Sequence, residues 1–313
     1  MTQNLSPLSG GIEIGGTKTV VLIARGADII EREQFPTDDP TTTLERCVDR
    51  LSDWQSRYGA LAAIGIGSFG PLSLRPDAGD HGCITNTPKP GWQGTDLLAP
   101  IAARFAVPVG IDTDVAGAAL AEGRWGASVG ARVHAYITVG TGIGAGLVVD
   151  GGAVHGLVHP EAGHVRVRRV AGDDFVGSCP FHGDCLEGLA SGPAIAARSG
   201  YPSHSLTADH PVWANVAAEL AELAAMLVLM VSAERIVIGG GVANGQPQLL
   251  PMLRARTAAL LANYVPAASE TLSTIIRAPM LGDDSGPLGT IAIAELALAR
   301  NRKHAAGHEL GSQ

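Results

Sequence analysis

Apolar positions in this chain follow two rhythms. In Ile12–Gly26 (IEIGGTKTVVLIARG) and Tyr136–Gly152 (YITVGTGIGAGLVVDGG) a β-branched strand, a Gly/Thr turn and a second apolar strand follow one another. Two hairpins are therefore expected, and the likeness between them reads as a weak internal repeat with two related lobes. A helical period runs over Thr42–Tyr58, then a strand over Leu61–Gly67, a helix over Asp96–Phe105 and a strand over Val107–Ile111 that leads into Asp112 and Asp114. Farther on, the pattern predicts a long apolar helix from Val212 to Ser232, a strand Arg235–Ile238 ending in three glycines, and an apolar helix Leu288–Arg300 after Gly286 and Pro287. The polar stretch Asn301–Gln313 is expected to fray. Strands alternating with helices give an α/β class, with a small lobe over 1–122, a large lobe over 123–287 and a break in the Gly-containing stretch Glu122–Gly130.

Composition narrows the function. A chain of 313 residues with 46% hydrophobic and 17% charged residues is globular and long enough for two cores, which excludes disordered and fibrous classes. A net charge of -8, with no Lys/Arg cluster, argues against nucleic acid and for a small-molecule partner. The opening MTQNLSPLSG has neither the basic start nor the apolar core of a signal peptide, and Gly, Glu or Arg interrupts the apolar runs. A cytoplasmic location with no membrane partner is expected, and there Cys47 and Cys83 remain thiols.

Cys179-x-x-His182-x-x-Cys185 has the close spacing of a zinc knuckle, and His164, fifteen residues upstream, supplies a fourth ligand for a tetrahedral N/S site. Pro180, Phe181 and Gly183 are turn formers between the ligands. The plainer alternative is two free cysteines flanking a histidine in a Gly-rich loop. A structural zinc would fix a loop with too few apolar residues to fold alone.

Gly15-Gly16-Thr17-Lys18 offers bare amides, a hydroxyl and an ammonium in one turn, and Thr138, Gly140, Thr141 and Gly142 offer a second set. Each turn alone reads first as an ordinary Gly-rich hairpin; two together suggest a polyphosphate site. Neither is a Walker A loop, which needs a following helix. Gly65-Ile66-Gly67-Ser68-Phe69-Gly70 fits GxGxxG, but Pro71–Pro76 continues as extended chain, so it is read as a decoy. Asp114 sits where a strand gives way to the helix Val115–Glu122. It is placed either to accept a proton from a bound hydroxyl or to cap the helix. Asn86, Glu161, His164 and Glu187 are groups of the kind that read sugar hydroxyls, with Trp92 available for packing.

Taken together, GGIEIGGTK, IGIGSFGP, TNTPKPGW, TDV, ITVGTGIGAG, HPEAGHV, CPFHGDCLEGLASGPAI and IVIGGGV resemble the ROK family (repressors, open reading frames and sugar kinases) over roughly Gly11–Ala299, most closely its bacterial fructokinase branch. The resemblance implies the actin-like, ribonuclease-H-like ATPase fold, two lobes around a cleft, with a C-terminal helix of about 288–313 returning to the small lobe. It implies that Asp114 is the catalytic base, deprotonating the sugar C6 hydroxyl for in-line attack on the γ-phosphate of Mg-ATP. Asn86, Glu161, His164 and Glu187 would hold the sugar, with Gly70, Pro71 and Thr113 at the pocket. Gly15, Gly16, Thr17, Lys18, Thr138, Gly140, Thr141 and Gly142 would face the phosphates, and Gly239, Gly240, Gly241 and Val242 would border adenosine. His164 would serve zinc through one ring nitrogen and sugar through the other, and the family favours homodimers.

Four positions depart from the wider family pattern. Glu13 stands where most members carry an Asp linked to magnesium. Thr113 replaces a frequent Asn that contacts a sugar hydroxyl, and Ala116 replaces another Asn. A second histidine joins the zinc set where Cys is usual; this and Glu13 resemble the fructokinase branch. The expected activity is ATP-dependent phosphorylation of fructose at C6, with mannose as a side substrate. Glucokinase or N-acetylmannosamine kinase is the nearest alternative, and a non-catalytic sugar sensor is kept open by Glu13. A sugar-responsive repressor would need a helix-turn-helix domain ahead of the first turn, where only about ten residues precede Gly11.

Overall fold

Apolar runs rich in β-branched residues build the first sheet, in a computed structural model that describes residues 6–310. Leu8–Ile14 (β1) and Lys18–Arg25 (β2) pair antiparallel, and Asp28–Pro36 (β3) extends the hairpin. The helix Pro40–Tyr58 (α1) starts on the side chain of Asp39, which accepts the Thr42 amide at 3.1 Å, and its buried stripe of Leu44, Cys47, Leu51 and Trp54 faces the core. Ala63–Ser68 (β4) then lies parallel to β1, the helix Ala99–Arg104 (α2) follows, and Val109–Thr113 (β5) lies parallel to β4. From the last residue of β5 the chain turns into the helix Asp114–Trp125 (α3).

The second sheet repeats the design. Val133–Val139 (β6), Ile143–Val149 (β7) and Gly152–Ala153 (β8) form an antiparallel meander. Two short helices, Leu186–Ala190 (α4) and Gly192–Ser199 (α5), precede the long helix Val212–Val231 (α6). Arg235–Gly239 (β9) runs parallel to β6, the helices Gly241–Gly245 (α7), Leu249–Leu261 (α8) and Pro266–Ile275 (α9) follow, and Ile276–Arg277 (β10) pairs with β9. The strand orders are β3-β2-β1-β4-β5 and β8-β7-β6-β9-β10, two antiparallel neighbours and then two parallel ones in each sheet. The internal repeat read from the two hairpins thus extends to ten strands.

The last helix, Ser285–Leu310 (α10), covers the first sheet. Gly11, Gly65 and Gly110 stand side by side on β1, β4 and β5, and a Cβ at any of them would strike Thr290, Ala294 or Ile293 of α10. Glycine is needed there for close approach, which explains the decoy: Gly65 seats a helix. The helix starts earlier and ends later than expected. Gly286 and Pro287 lie inside its first turn, where an unpaired N–H costs nothing. It also runs through the stretch expected to fray, as far as Leu310, where Arg302, Lys303, Ala305, Ala306 and Glu309 are good helix formers. The remainder of that stretch, 311–313, lies outside the described residues.

The chain divides into two compact units. One comprises the chain up to Arg124, His155–His159 and the chain from Asp283 onward; the other comprises Trp125–Val154 and Pro160–Gly282. Helix α6 is the one helix among the described residues long and apolar enough to cross a membrane. Its Trp213, Val216, Leu220 and Leu223 are buried in the second core.

Candidate functional site

In the first unit the chemistry gathers at the carboxyl ends of the parallel strands, where α/β folds present groups to ligands. Glu13 of β1 is level with Gly67 of β4, and Gly67 with Asp112 of β5. Gly67 lies against Asp114: a Cβ there would be in ordinary contact, 3.5 Å from the Asp114 Cα. Oδ1 of Asp114 accepts its neighbour Val115 N–H at 2.8 Å. The capping of α3 falls to Thr113, whose Oγ1 accepts the Ala116 amide at 3.1 Å. That hydroxyl is buried and engaged with the helix.

Both acids titrate high. Burial pushes Asp114 up to about 6, against the amides that favour its anion. Burial, and then the Asp114 charge, raise Glu13 to about 7, with Lys18 and Arg32 pulling the other way. Gly286 at the start of α10 abuts the Glu13 carboxylate so closely that any side chain there would collide with it. Two like charges at the same end of one sheet are what a divalent cation relieves, so the donor set fits magnesium.

The first glycine turn closes by the Gly15 amide to Lys18 O at 2.9 Å, leaving Gly16, Thr17 and Lys18 exposed. Sequence reasoning missed Lys89, which lies within the TNTPKPGW motif. Its ammonium donates to Gly16 O at 2.7 Å and Thr37 O at 3.2 Å, tying the turn to the end of β3. Trp92, expected to pack on sugar, is instead fully buried; it stands edge-on to Phe69 and its indole N–H donates to Asp38 O at 3.0 Å. Its bulk and apolar surroundings make it a core residue. Asn86 is exposed, and the residue before it, Thr85, donates its N–H to Pro71 O at 2.8 Å, next to Gly70.

In the second unit Thr138 is the last residue but one of β6, and Gly140 and Gly142 form the turn, closed by the Gly140 amide to Gly142 O at 2.9 Å. Gly239–Val242 adjoin this turn: a Cβ on Gly140 would lie 3.9 Å from the Gly241 amide. Gly240, at φ +91°, would put a Cβ 2.6 Å from Val139 N, so only glycine fits. Glu187 in the first turn of α4 accepts the Ile143 amide at 2.9 Å, and a Cβ on Gly142 would come within 2.7 Å of the same oxygen. Thr141 is exposed at the tip of the turn.

Glu161 is exposed and precedes a single 3₁₀ turn, Ala162–His164, in which the His164 amide bonds Glu161 O at 3.0 Å. The structure brings His164, Cys179, His182 and Cys185 together, with all four donor atoms within 4.8 Å of one another. Sγ of Cys179 lies 3.8 Å from His164 Nδ1 and 3.7 Å from His182 Nδ1, and Sγ of Cys185 lies 3.5 Å from His164 Nδ1. Ligand bonds of zinc length set tetrahedral edges of about 3.3–3.8 Å, so the residues present fit that ion. His164 offers the cluster Nδ1, leaving Nε2 for another partner. Around it an ion network ties the loop down: Arg198 bonds Asp173 at 3.0 Å and the fully buried Glu219 at 2.8 Å, and Arg169 bonds Asp173 at 2.8 Å.

The sequence-predicted sugar set is thus divided, with Gly70, Pro71, Asn86, Thr113 and Asp114 in the first unit and Glu161, His164 and Glu187 in the second. The phosphate set divides likewise, Gly15–Lys18 in the first and Thr138–Gly142 with Gly239–Val242 in the second.

Residues 9–297 match the ROK family. The chain is 42% identical over 297 residues to a fructokinase of Zymomonas mobilis, covering 93% of this chain and 98% of that one. It is 38% identical over 292 residues to a fructokinase of Pediococcus pentosaceus, covering 93% and 99%. Among solved structures, a ROK hexokinase from Thermus thermophilus superposes with a TM-score of 0.79 at 25% identity, over 94% of this chain and 99% of that one.

Proposed function

This chain belongs to the ROK family, and from that premise we propose that it is an ATP-dependent kinase that phosphorylates D-fructose at the C6 hydroxyl. The fold is the actin-like α/β fold of ROK kinases. The observation that carries the activity is Asp114, held at the carboxyl end of β5 beside Glu13 with its carboxyl raised to about 6. Such a group is ionised at neutral pH, yet basic enough to take a proton from a bound hydroxyl.

In this reading Oδ of Asp114 receives the C6 hydroxyl proton while the oxygen attacks in line. Asn86, Glu161, His164 and Glu187 orient the sugar, beside Gly70, Pro71 and Thr113. The turns Gly15–Lys18 and Thr138–Gly142 present amides to the phosphates, and Gly239–Val242 border adenosine. Mg-ATP, when bound, supplies the phosphoryl group and neutralises its charge, with Glu13 as the group that positions the metal. His164, Cys179, His182 and Cys185 hold a structural zinc. The protein is read as a cytoplasmic homodimer.

The test is ADP release with Mg-ATP across fructose, mannose, glucose and N-acetylmannosamine. Fructose is expected to give the highest kcat/KM, with mannose second. A kcat/KM for glucose well above that for fructose would overturn the substrate assignment, and no turnover with any sugar would overturn the kinase reading.

A further inference from the structure

The segment His155-Gly156-Leu157-Val158-His159 belongs to the first unit although it interrupts the sequence of the second. A histidine fixes each end. Nε2 of His155 lies 3.0 Å from Oδ1 of Asp112, a buried carboxylate whose same oxygen accepts the Thr113 amide at 2.8 Å. Through Asp112, then, His155 is tied to the backbone that presents Asp114. At the other end, buried His159 accepts the Leu72 amide at Nε2, 3.0 Å away, which keeps its proton on Nδ1. Its ring closes against Gly70, where a Cβ would come within 3.3 Å.

Pro71, between those contacts, has its carbonyl bonded by both the amide and the hydroxyl of Thr85, at 2.8 and 3.1 Å. Thr85 precedes Asn86. His155–Val158, Pro71 and Thr85 together line a cavity of about 310 Å³ within the first unit. The segment is therefore a strap pinned at one end to the strand of Asp114 and at the other to the loop that bears Gly70, Pro71 and, through Thr85, Asn86.

We propose that His155 and His159 are positioning residues for the acceptor sugar, pinning this strap as a wall that sets the place of Gly70, Pro71 and Asn86 relative to Asp114. They govern sugar affinity and leave phosphoryl transfer itself to Asp114. The proposal rests on the sugar-kinase reading above.

Only the His155 pin is charged. Its bond to Asp112 raises the ring's pKa above 6.5, against burial; Arg300 of α10 acts to lower it, and Arg75 lines the same cavity. The charged pair is complete below 6.5 and is lost as pH rises through the raised value. The KM for sugar is then expected to climb on the alkaline side while kcat holds.

The experiment is steady-state kinetics from about pH 6 to 9 on the wild type, His155→Ala and His155→Gln, the last keeping an N–H donor that does not titrate. His155→Ala is expected to raise KM for fructose about tenfold, with kcat and KM for ATP within about twofold. His155→Gln, which keeps an N–H donor but never the charge, is expected to hold at every pH the fructose KM that the wild type reaches on the alkaline side, and so to lose the alkaline rise. An unchanged fructose KM in His155→Ala, a loss confined to kcat, or an alkaline rise that survives in His155→Gln overturns the proposal. If His155→Ala does not fold, the comparison of wild type with His155→Gln decides. A wild type that turns over no sugar defeats the kinase reading first, and that result is seen before any variant is measured.

Discussion

The two units share a strand order and differ in what stands at the strand ends. In the first, Glu13, Asp112 and Asp114 crowd the carboxyl ends of β1 and β5, and burial raises Asp114 and Glu13. In the second, the place of Glu13 is taken by Thr138 and the place of Gly67 by Gly239, so the ends offer a hydroxyl and glycine backbone. Carboxylates repel phosphate and accept protons, whereas bare amides attract phosphate and accept nothing. One architecture, used twice, carries carboxylates at the strand ends of one unit and a hydroxyl and glycines at those of the other. The backbone plan alone did not determine which unit does what.

Asp114→Asn removes the proton acceptor while keeping its shape, and should break the asymmetry most severely: kcat is expected to fall about 10²–10⁴-fold, with an unchanged circular dichroism spectrum as the control. In the second unit, Gly142→Ala places a methyl against the Glu187 carboxylate that holds the β7 amide. A loss on the order of 10- to 100-fold in kcat/KM is expected from the displacement. Acid should show itself at Asp114. Asp114, at about 6, must be ionised to accept a proton, so kcat/KM should drop about tenfold per pH unit below that value. A profile flat down to about pH 5 would remove Asp114 from the role.

Smaller effects separate the ways in which the two units are held. The loop of the Cys/His cluster has metal-type side chains where the first sheet has an apolar core. Cys185→Ser, or chelation, is expected to cost roughly 3 kcal/mol or more, read as a fall of about 6–12 °C in Tm. Cys47→Ser, in the first core, should not respond to chelator. Smallest of all, Arg57→Ala removes an exposed pair with Glu31 and should leave Tm unchanged, since solvent screens such contacts.

What could be read from the sequence was local. The four metal-type ligands lie between His164 and Cys185, and both hairpin turns and the strand-to-helix step at Asp114 show within a few residues. Distant partnerships were hidden: Lys89 with Gly16, His155 with Asp112, and the glycines of three strands beneath one helix. Strand β3 escaped notice because Glu31, Arg32, Glu33 and Gln34 break the apolar alternation, as suits the end strand of its sheet. Trp92 was misjudged because aromatic composition does not tell a ligand platform from a core filler.

The glycine stripe under α10 also bears on synthesis. A ribosome delivers β1 to β5 first and α10 last, so the first unit's sheet waits, with one face uncovered, while the second unit is being made. The second unit can complete its own core while the first is still unfinished. A message truncated before codon 285 would then yield a folded second unit attached to a sheet left sticky on the face that α10 covers, and cellular quality control would meet that face in every nascent chain.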